Sequence, residues 1–347
     1  MVVIDNLPKS LRPLAGAMDG KQLAAVEFQA ELERHHFQSN RDEMVEAAIR
    51  NQLTAFLASF DSDEPQGSMV AVVGAPGAGK SWAIRRALTM VLGDNAGVLL
   101  CLKAASPCTL KLLGVNILNA LGYEIRRDLR EYLVWDRVRE QLPNCGKHLV
   151  WIDEMHHVLS SRHDGELDKI SETLKNTMQL QSEDGRRRRG APINFILSGR
   201  GILSHFVGRD EQIERRSATV EFKRLDLTKH CVGIREIITT VIVDHAAMTM
   251  APEVASEAFV HRVFRAVDGA FGSTITMTRR AVLNAFHRAG PGATVTGRDF
   301  AAVYRLWRNC EADQNIFLVD DWTTVIPSNA RRRDDGAMPS QQSQGAR

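Results

Sequence analysis

An eight-residue stretch of the chain has the residue types and the spacing of a phosphate-binding loop. The stretch fits the pattern GxxxxGK[ST], and we expect it to follow a buried strand and to precede a helix. Its glycines allow backbone N–H groups to surround phosphate oxygens, and the N-terminus of the helix adds positive potential. The expected nucleotide contacts are Gly74, Ala75, Pro76, Gly77, Ala78, Gly79, Lys80, Ser81 and the adjacent Trp82.

Two side chains of this loop carry specific chemistry. Lys80 is expected to pair with the β and γ oxygens of ATP, and the hydroxyl of Ser81 is expected to join the ligands of Mg²⁺. The alternative is a glycine-rich turn that arises by chance, which eight matching positions in the correct context disfavour. The sequence therefore predicts a site for ATP and Mg²⁺.

A second motif places two carboxylates at the end of an apolar run. Residues 148–152 form the run, and Asp153 and Glu154 follow it. Alternating strand geometry points the two side chains differently, so Asp153 can hold Mg²⁺ through water while Glu154 faces the water that attacks the γ-phosphate. Alone, the pair would more often be an ordinary strand end. His156 and His157 come next, but nothing supplies further ligands at metal-site spacing, so a helix start or an interface is the preferred interpretation.

Three further residues, Ser198, Arg215 and Arg216, could act on the nucleotide. With Lys80 and Glu154 they form the expected catalytic set. Ser198 ends a predicted strand beside the nucleotide strand and could sense the γ-phosphate or orient water, although a turn serine is the alternative. Arg215 and Arg216 precede the last predicted strand. One of them could reach the γ-phosphate of a neighbouring subunit as an arginine finger, and a surface pair at a helix end is the alternative.

Basic side chains outside these motifs are candidates for contact with DNA. Four consecutive arginines lie in a polar stretch, and two lysines lie just beyond the second predicted strand. For the four arginines, DNA phosphates and solvent are equally good explanations. The two lysines are weaker candidates, because exposed lysines near a strand end are commonly just solvated. Phosphate contacts would not read base sequence. The candidates are Lys103, Lys111, Arg186, Arg187, Arg188 and Arg189.

The apolar pattern predicts an α/β fold around the motifs. Five short apolar runs are separated by segments long enough for crossover helices, which is typical of a parallel five-stranded sheet flanked by helices. One crossover helix is indicated by four apolar residues at helical spacing between residues 167 and 178. The predicted strands are 69–73, 97–102, 148–152, 193–197 and 218–222.

After residue 225 the strand pattern fades, and helical periodicity predicts a small all-helical lid domain. Its predicted helices are 232–245, 254–267, 276–287 and 296–307. The predicted domains are an N-terminal helical extension (1–65), an α/β nucleotide-binding domain (66–226), the lid (227–308) and a polar, partly disordered tail (309–347).

Composition is that of a globular protein. The chain has 347 residues, of which 44% are hydrophobic and 25% charged, and its formal net charge is only +2. Any binding of nucleic acid must therefore come from local clusters of Lys and Arg. The five cysteines lack the paired CxxC spacing of zinc or redox sites. Neither a signal peptide nor a membrane helix is expected, which predicts a cytoplasmic protein without a membrane partner.

Together, the two motifs, the Ser198 strand, the arginine pair and the helical lid resemble AAA+ ATPases of the TniB and TnsC type, the ATP-dependent regulators of DNA transposition. The resemblance spans residues 40–305. The Walker motifs are common to all AAA+ proteins, whereas residues 152–159 and 210–216 are similar to TniB in particular. A sensor-2 arginine in a GxxR arrangement is missing from the sequence, and Arg279 and Arg280 are only loose candidates.

The resemblance implies an AAA+ P-loop core and lid that assemble with ATP as a homo-oligomer, a ring or a helical filament, on double-stranded DNA without sequence specificity. It also implies recruitment of a DDE transposase, contact with a TniQ-type target selector, and disassembly by ATP hydrolysis. The alternatives are a replication initiator or loader on the same core, and a nucleotide switch with protein partners only. An initiator usually carries a winged helix after the lid, for which the about forty residues after Trp307 are too few.

Overall fold

The computed structural model describes residues 7–61, 65–125, 127–160, 164–179 and 191–325. The chain divides into two compact units. The first, here called the sheet unit, is Gln38–Lys223. The second, the helical unit, combines Met1–Phe37 with Arg224–Arg347. The predicted N-terminal extension, 1–65, therefore contributes residues to both units.

A five-stranded sheet forms the centre of the sheet unit. Its strand order is β2-β3-β4-β1-β5, and every pairing is parallel. The predicted α/β fold class is confirmed, and each predicted strand lies within two residues of an observed one. The strands are β1 (Met69–Gly74), β2 (Leu99–Lys103), β3 (Leu149–Asp153), β4 (Asn194–Gly199) and β5 (Ser217–Phe222).

Helices surround the sheet and make up most of the helical unit. The sheet unit contains α3 to α10, and the helical unit contains α1, α2 and α11 to α14. In chain order they are α1 (Arg12–Gly16), α2 (Gly20–Arg34), α3 (Asn40–Ser59), α4 (Lys80–Leu92), α5 (Leu110–Ala120), α6 (Glu131–Asn144), α7 (His156–Leu159), α8 (Asp164–Met178), α9 (Ile202–Arg209), α10 (Glu211–Arg215), α11 (Leu227–Thr239), α12 (Glu257–Val267), α13 (Phe271–Ala289) and α14 (Gly297–Arg308).

The alternation of side chains along β1 explains why helices cover both faces of the sheet. Ala71 and Val73 pack in a core with residues of α5, α6, α8 and α9. Val70 and Val72 point to the opposite face and pack with residues of α3 and α4. A strand buried on both faces reads as a continuous apolar run, as the run 69–73 does.

Helix α3 belongs to the sheet unit because its apolar face is buried there. Val45 and Ile49 are fully buried in the same core as α4. The side-chain amide of Gln52 also donates hydrogen bonds to the carbonyl oxygens of Ser68 at 2.9 Å and Phe195 at 3.0 Å. Packing and hydrogen bonds together fix α3 against the sheet edge where β1 and β4 begin.

Helix α2 packs within the helical unit instead. Ala25 and Leu32 are buried in its core, and the rings of Phe28 and Phe286 stack at 4.3 Å between centroids. The C-terminal region is helical, as expected, with one addition. A two-residue strand β6 (Thr249–Met250) pairs in parallel with β7 (Thr294–Val295).

Part of the predicted tail also belongs to the core of the helical unit. Ile316 is fully buried, and the guanidinium of Arg262 donates to the carbonyl oxygens of Ile316 at 2.6 Å and Val319 at 2.8 Å. Residues 326–347 lie outside the described residues. Within the described ranges, no helix has the length and apolar character needed to cross a membrane.

Two glycines in helix interiors provide a matched test of this packing. A β-carbon on Gly114, in α5, would lie 2.8 Å from Val134 Cγ1, whereas a β-carbon on Gly233, in α11, would have nothing within 4 Å. We expect Gly114→Ala to destabilise the protein by about 1–3 kcal/mol through overpacking. Gly233→Ala should stabilise it by up to about 1 kcal/mol through lower chain entropy. Thermal melting measures both, and a Gly114→Ala variant as stable as Gly233→Ala would contradict the packing described.

Candidate nucleotide-binding site

The predicted phosphate-binding loop connects β1 to α4 at the carboxyl edge of the sheet. Gly77 and Gly79 have φ angles of +72° and +95°, in the left-handed region that glycine adopts without strain. Gly79 is the N-cap of α4, so the N–H groups of the first helical turn point toward the loop. These features form a cradle for an anion at the N-terminus of a thirteen-residue helix.

Lys80 lies inside this cradle. Its side chain is only 8% exposed, and its Nζ donates hydrogen bonds to the carbonyl oxygens of Gly74 at 2.8 Å and Ala75 at 3.0 Å. Burial lowers the pKa of the Lys80 ammonium, while the nearby carboxylates of Glu154 and Asp153 raise it. Lys80 is therefore a buried cation that the loop carbonyls hold by hydrogen bonds. The negative charges of Glu154 and Asp153 partly offset the cost of burying it.

Asp153 connects the loop to two strands. The hydroxyl of Ser81 donates to Asp153 Oδ2 at 2.7 Å, and the hydroxyl of Ser198 donates to Asp153 Oδ1 at 2.6 Å. The backbone N–H of Glu154 also donates to Oδ1, at 2.9 Å. The two predicted Mg²⁺ ligands, Ser81 and Asp153, are thus in direct contact, and hydroxyl and carboxylate oxygens are ligands that Mg²⁺ prefers. These residues fit the metal that the sequence predicts.

Ser198 has a second partner that the sequence analysis missed. The indole Nε1 of Trp151 donates to Ser198 Oγ at 3.1 Å. Since Trp151 and Asp153 are two residues apart on β3, they lie on the same face of the sheet. The indole N–H leaves the Ser198 proton directed at Asp153. The sequence signal that could have identified Trp151 is its position two residues before Asp153, since alternate residues of a strand lie on one face.

Glu154 lies just beyond the strand, in a strained backbone conformation. Strand β3 ends at Asp153, and Glu154 has a φ angle of +58°. A left-handed conformation costs a non-glycine residue about 1–2 kcal/mol. Strand alternation therefore does not set the direction of Glu154, contrary to the expectation from sequence. The left-handed turn does, and it brings Glu154 Oε2 within 3.2 Å of His156 Nδ1.

Arg200 is a further residue near the site that the sequence analysis did not select. It is exposed and follows β4 directly after Ser198 and Gly199. Its charge lowers the pKa values of both Lys80 and His156, after the larger effect of burial on each. Arg200 therefore contributes positive potential on the side of the site formed by β4. The sequence signal that could have identified Arg200 is its position at the carboxyl end of β4, the strand beside β1.

The two predicted finger residues lie at the amino ends of the strands, opposite the carboxyl ends where the loop lies. Ser217, the first residue of β5, pairs with Met69, the first residue of β1. Arg215 and Arg216 therefore lie near the start of β1, and the loop lies at its end. Since a six-residue strand spans about 20 Å, neither arginine reaches the loop of its own subunit.

The two arginines also have different surroundings. Arg215 is 74% exposed and pairs with Glu211 at 2.5 Å, one turn earlier on α10. The guanidinium of Arg216 faces the side-chain amide of Gln179, whose oxygen accepts from Nη2 at 2.7 Å. Arg215 is therefore the more accessible of the two from outside the subunit.

The DNA candidates are not brought together among the described residues. Lys103, the last residue of β2, is the lateral partner of Asp153 and so lies at the nucleotide edge of the sheet. Lys111, on α5, forms an ion pair with Asp128 at 2.5 Å. Arg186, Arg187, Arg188 and Arg189 lie outside the described residues.

Both loose sensor-2 candidates have partners within the helical unit. The guanidinium of Arg279 donates a hydrogen bond to the carbonyl oxygen of His35. Arg280 lies over the ring of Trp307, 5.3 Å from its centroid. Each guanidinium therefore already has a contact with a residue of its own unit.

A parallel sheet of order β2-β3-β4-β1-β5, with a glycine-rich GxxxxGK[ST] loop after β1 and two carboxylates where β3 ends, is the arrangement of the AAA+ fold. Residues 64–206 match a family described as an AAA domain. No curated protein sequence matches the chain.

Solved structures give the same fold. Aeropyrum pernix ORC1 in complex with DNA has a TM-score of 0.54 at 16% identity, over 90% of this chain and 78% of that one. Cdc6p from Pyrobaculum aerophilum has a TM-score of 0.53 at 11% identity, over 84% and 76%. The ADP form of A. pernix ORC2 has a TM-score of 0.52 at 14% identity, over 83% and 76%. Residues 64–206 are therefore similar to an AAA domain, and the chain has the AAA+ fold seen in these Cdc6 and ORC structures.

The position of Lys80 leads to a direct test of nucleotide binding. Lys80→Ala removes the buried cation but no packed apolar group, so we expect ATP affinity to fall roughly 100-fold, the equivalent of losing strong charge-assisted hydrogen bonds. The melting temperature should change little. Lys147→Ala is the control because Lys147 also donates to a backbone carbonyl, Gly97 O, at 2.6 Å. Unchanged ATP affinity in Lys80→Ala would refute the assignment of the loop.

Proposed function

We propose that the protein is a Mg²⁺-dependent ATPase that assembles as an ATP-bound homo-oligomer on double-stranded DNA and regulates transposition, as TniB- and TnsC-type proteins do. The observation that carries the catalytic part is the contact of Ser81 with Asp153 at 2.7 Å beside the buried Lys80. These three groups are the cation and the oxygen ligands that a triphosphate with Mg²⁺ requires.

Each residue of the site has a distinct task in the proposed hydrolysis. Lys80 pairs with phosphate oxygens, and Ser81 and Asp153 hold Mg²⁺, which when bound neutralises charge on the phosphates. Ser198 keeps the Asp153 carboxylate oriented through its hydrogen bond. Glu154 is the general base and takes the proton from the attacking water.

Assembly on DNA is proposed from the resemblance and from the basic residues. Lys103, Lys111 and the run Arg186–Arg189 would contact phosphates and not base edges, which gives binding without sequence preference and with steep salt dependence. A DDE transposase and a TniQ-type selector are the proposed protein partners. ATP hydrolysis is proposed to release the oligomer from DNA.

A second candidate function is a replication initiator or loader. It is supported by the fold likeness to Cdc6p and to ORC1, the latter in complex with DNA. The two candidate functions can be distinguished by the proteins that bind this one in the presence of ATP. ATP-dependent capture of a transposase encoded beside this protein supports the first, and capture of a replicative helicase supports the second.

Glu154→Gln separates ATP binding from ATP hydrolysis. The amide keeps the size of the side chain but cannot accept a proton from water, and Asp153 is unchanged, so ATP should bind and persist. In excess ATP with competitor DNA, we expect wild-type protein to leave a labelled duplex while the variant stays bound. Glu46→Gln, at a surface pair with Arg50, is the control and should behave as wild type. Equal release by wild type and Glu154→Gln would exclude hydrolysis-timed release from DNA.

We propose that Arg215 or Arg216 acts on a neighbouring subunit, because both residues lie about one strand length from the loop of their own subunit. We expect the double variant Arg215→Ala, Arg216→Ala to lose ATPase activity by about 10³-fold or more, as loss of an arginine finger does, while still binding ATP. Mixing it with Lys80→Ala protein should restore activity, because one variant supplies the loop and the other the arginines. An Arg137→Ala variant, which loses a surface pair with Glu140, should keep wild-type activity. Absence of rescue at every mixing ratio, with assembly intact, would rule out the finger.

A further inference from the structure

A buried histidine beside Glu154 has no hydrogen-bond partner within the described part of the chain. The side chain of His156 is 4% exposed, and both ring nitrogens are shielded from solvent without making a hydrogen bond. A buried polar atom that lacks a partner costs about 1–3 kcal/mol. Such a cost at the edge of a reactive site suggests a partner that is engaged in another state of that site.

The nearest group is the Glu154 carboxylate. His156 Nδ1 lies 3.2 Å from Glu154 Oε2, close enough for a hydrogen bond but without the alignment of one. The left-handed backbone of Glu154 turns its side chain back toward the imidazole. A hydrogen bond between the two atoms therefore requires a change of orientation and not of distance.

The backbone beside His156 is held against β4. The N–H of Met155 donates to the carbonyl oxygen of Ser198 at 2.8 Å. A β-carbon on Gly199 would lie 3.3 Å from His156 N, which shows how closely the two segments approach. The ring of His157 lies 4.2 Å from that of His156. Glu154 is one-third exposed and His156 is buried, so we expect the carboxylate to be the more mobile of the two groups.

The charged surroundings favour a neutral imidazole. Burial lowers the pKa of His156; His157, Arg200 and Lys80 lower it further, and Glu154 alone opposes them. A neutral imidazole carries one N–H, which can be placed on Nδ1 toward the carboxylate.

We propose that His156 is a positioning residue for Glu154, donating a hydrogen bond from Nδ1 to Oε2 and leaving Oε1 directed at the attacking water. The inference rests on the proposed ATPase function. It assigns a role to the histidine after the acidic pair, for which the sequence indicated only a helix start or an interface. His156 begins α7, and the preceding residue, Met155, is hydrogen-bonded to Ser198 on β4. The general base would then be positioned by His156 and, through it, by the strand that supplies Ser198.

Three substitutions of His156 test the role of Nδ1. Asn places its amide nitrogen where Nδ1 lies, Gln places it nearer to Nε2, and Phe keeps the ring without either nitrogen. We expect Phe and Gln to lower kcat by about 10- to 100-fold, part of the about 10²- to 10⁴-fold that general-base catalysis supplies. Asn should recover most of that loss. The KM for ATP should stay within about threefold of the wild-type value in all three, because Glu154 acts after binding.

His157→Phe is the matched control, because His157 is adjacent but makes no contact with the Glu154 carboxylate in this scheme. Oxygen and nitrogen atoms of Glu154, His156 and His157 lie within 4.8 Å of one another, so a metal site is the competing explanation. A metal site would make His157→Phe as harmful as His156→Phe, and that result would overturn the proposal. The assays contain ATP, Mg²⁺ and duplex DNA.

The remaining outcomes are also decisive. Wild-type kcat in His156→Phe, or equal losses in the Asn and Gln variants, would overturn the proposal. If His156→Phe does not fold, the contrast between Asn and Gln at equal melting temperature decides instead. A wild-type protein that hydrolyses no ATP would overturn the proposed function and this inference with it. An active wild type with an equally active His156→Phe overturns the inference alone.

Discussion

The carboxylate of Asp153 is the point on which the arrangement of the site depends. It accepts hydrogen bonds from Ser81, at the start of α4, and from Ser198, on β4, while it is itself the last residue of β3. Three separate segments are thus fixed relative to one another by one charged acceptor, and charge-assisted bonds of this kind are about twice as strong as neutral ones. Loss of this carboxylate would leave two hydroxyl groups without their acceptor and would remove the contact of Ser81, on α4, with β3.

The parallel sheet makes this convergence possible. Because the carboxyl ends of parallel strands share an edge, β1 delivers the loop, β3 the carboxylate pair and β4 the serine to one place. The buried faces of the same strands are apolar and pack against helices on both sides, so the polar residues are confined to the edge. Rigid packing behind the edge holds polar groups whose geometry must be accurate, and the turn at Glu154 is the one strained position described in the site.

Sequence reasoning predicted what depends on local pattern and missed what depends on tertiary contact. The strands, the loop and the carboxylate pair were predictable because apolar runs, glycine spacing and charged strand ends are local features. Trp151 and Arg200 were not selected, and His156 was interpreted as a helix start or an interface residue. The role of a tryptophan in an apolar run, of an exposed arginine or of a single histidine depends on the residues that it contacts in the fold. The pairing of Ser81 with Asp153 was inferred as a shared ligand set. The direction of Glu154 stays a prediction, but its basis changes, because β3 ends at Asp153 and a left-handed turn, not strand alternation, directs the Glu154 side chain.

The position of the arginines has a consequence for how the site works as a whole. The residues that would bind and hydrolyse ATP lie at the carboxyl edge of the sheet, and Arg215 and Arg216 lie near the opposite edge, about one strand length away. A charge that stabilises the transition state must lie within a few ångströms of the phosphates, since such stabilisation falls with distance. If these arginines are catalytic, each subunit is incomplete alone, and hydrolysis requires the carboxyl edge of one sheet to face the amino edge of the next. Such a division would make assembly a precondition of hydrolysis, so that an unassembled subunit retains its nucleotide until a neighbour is in place.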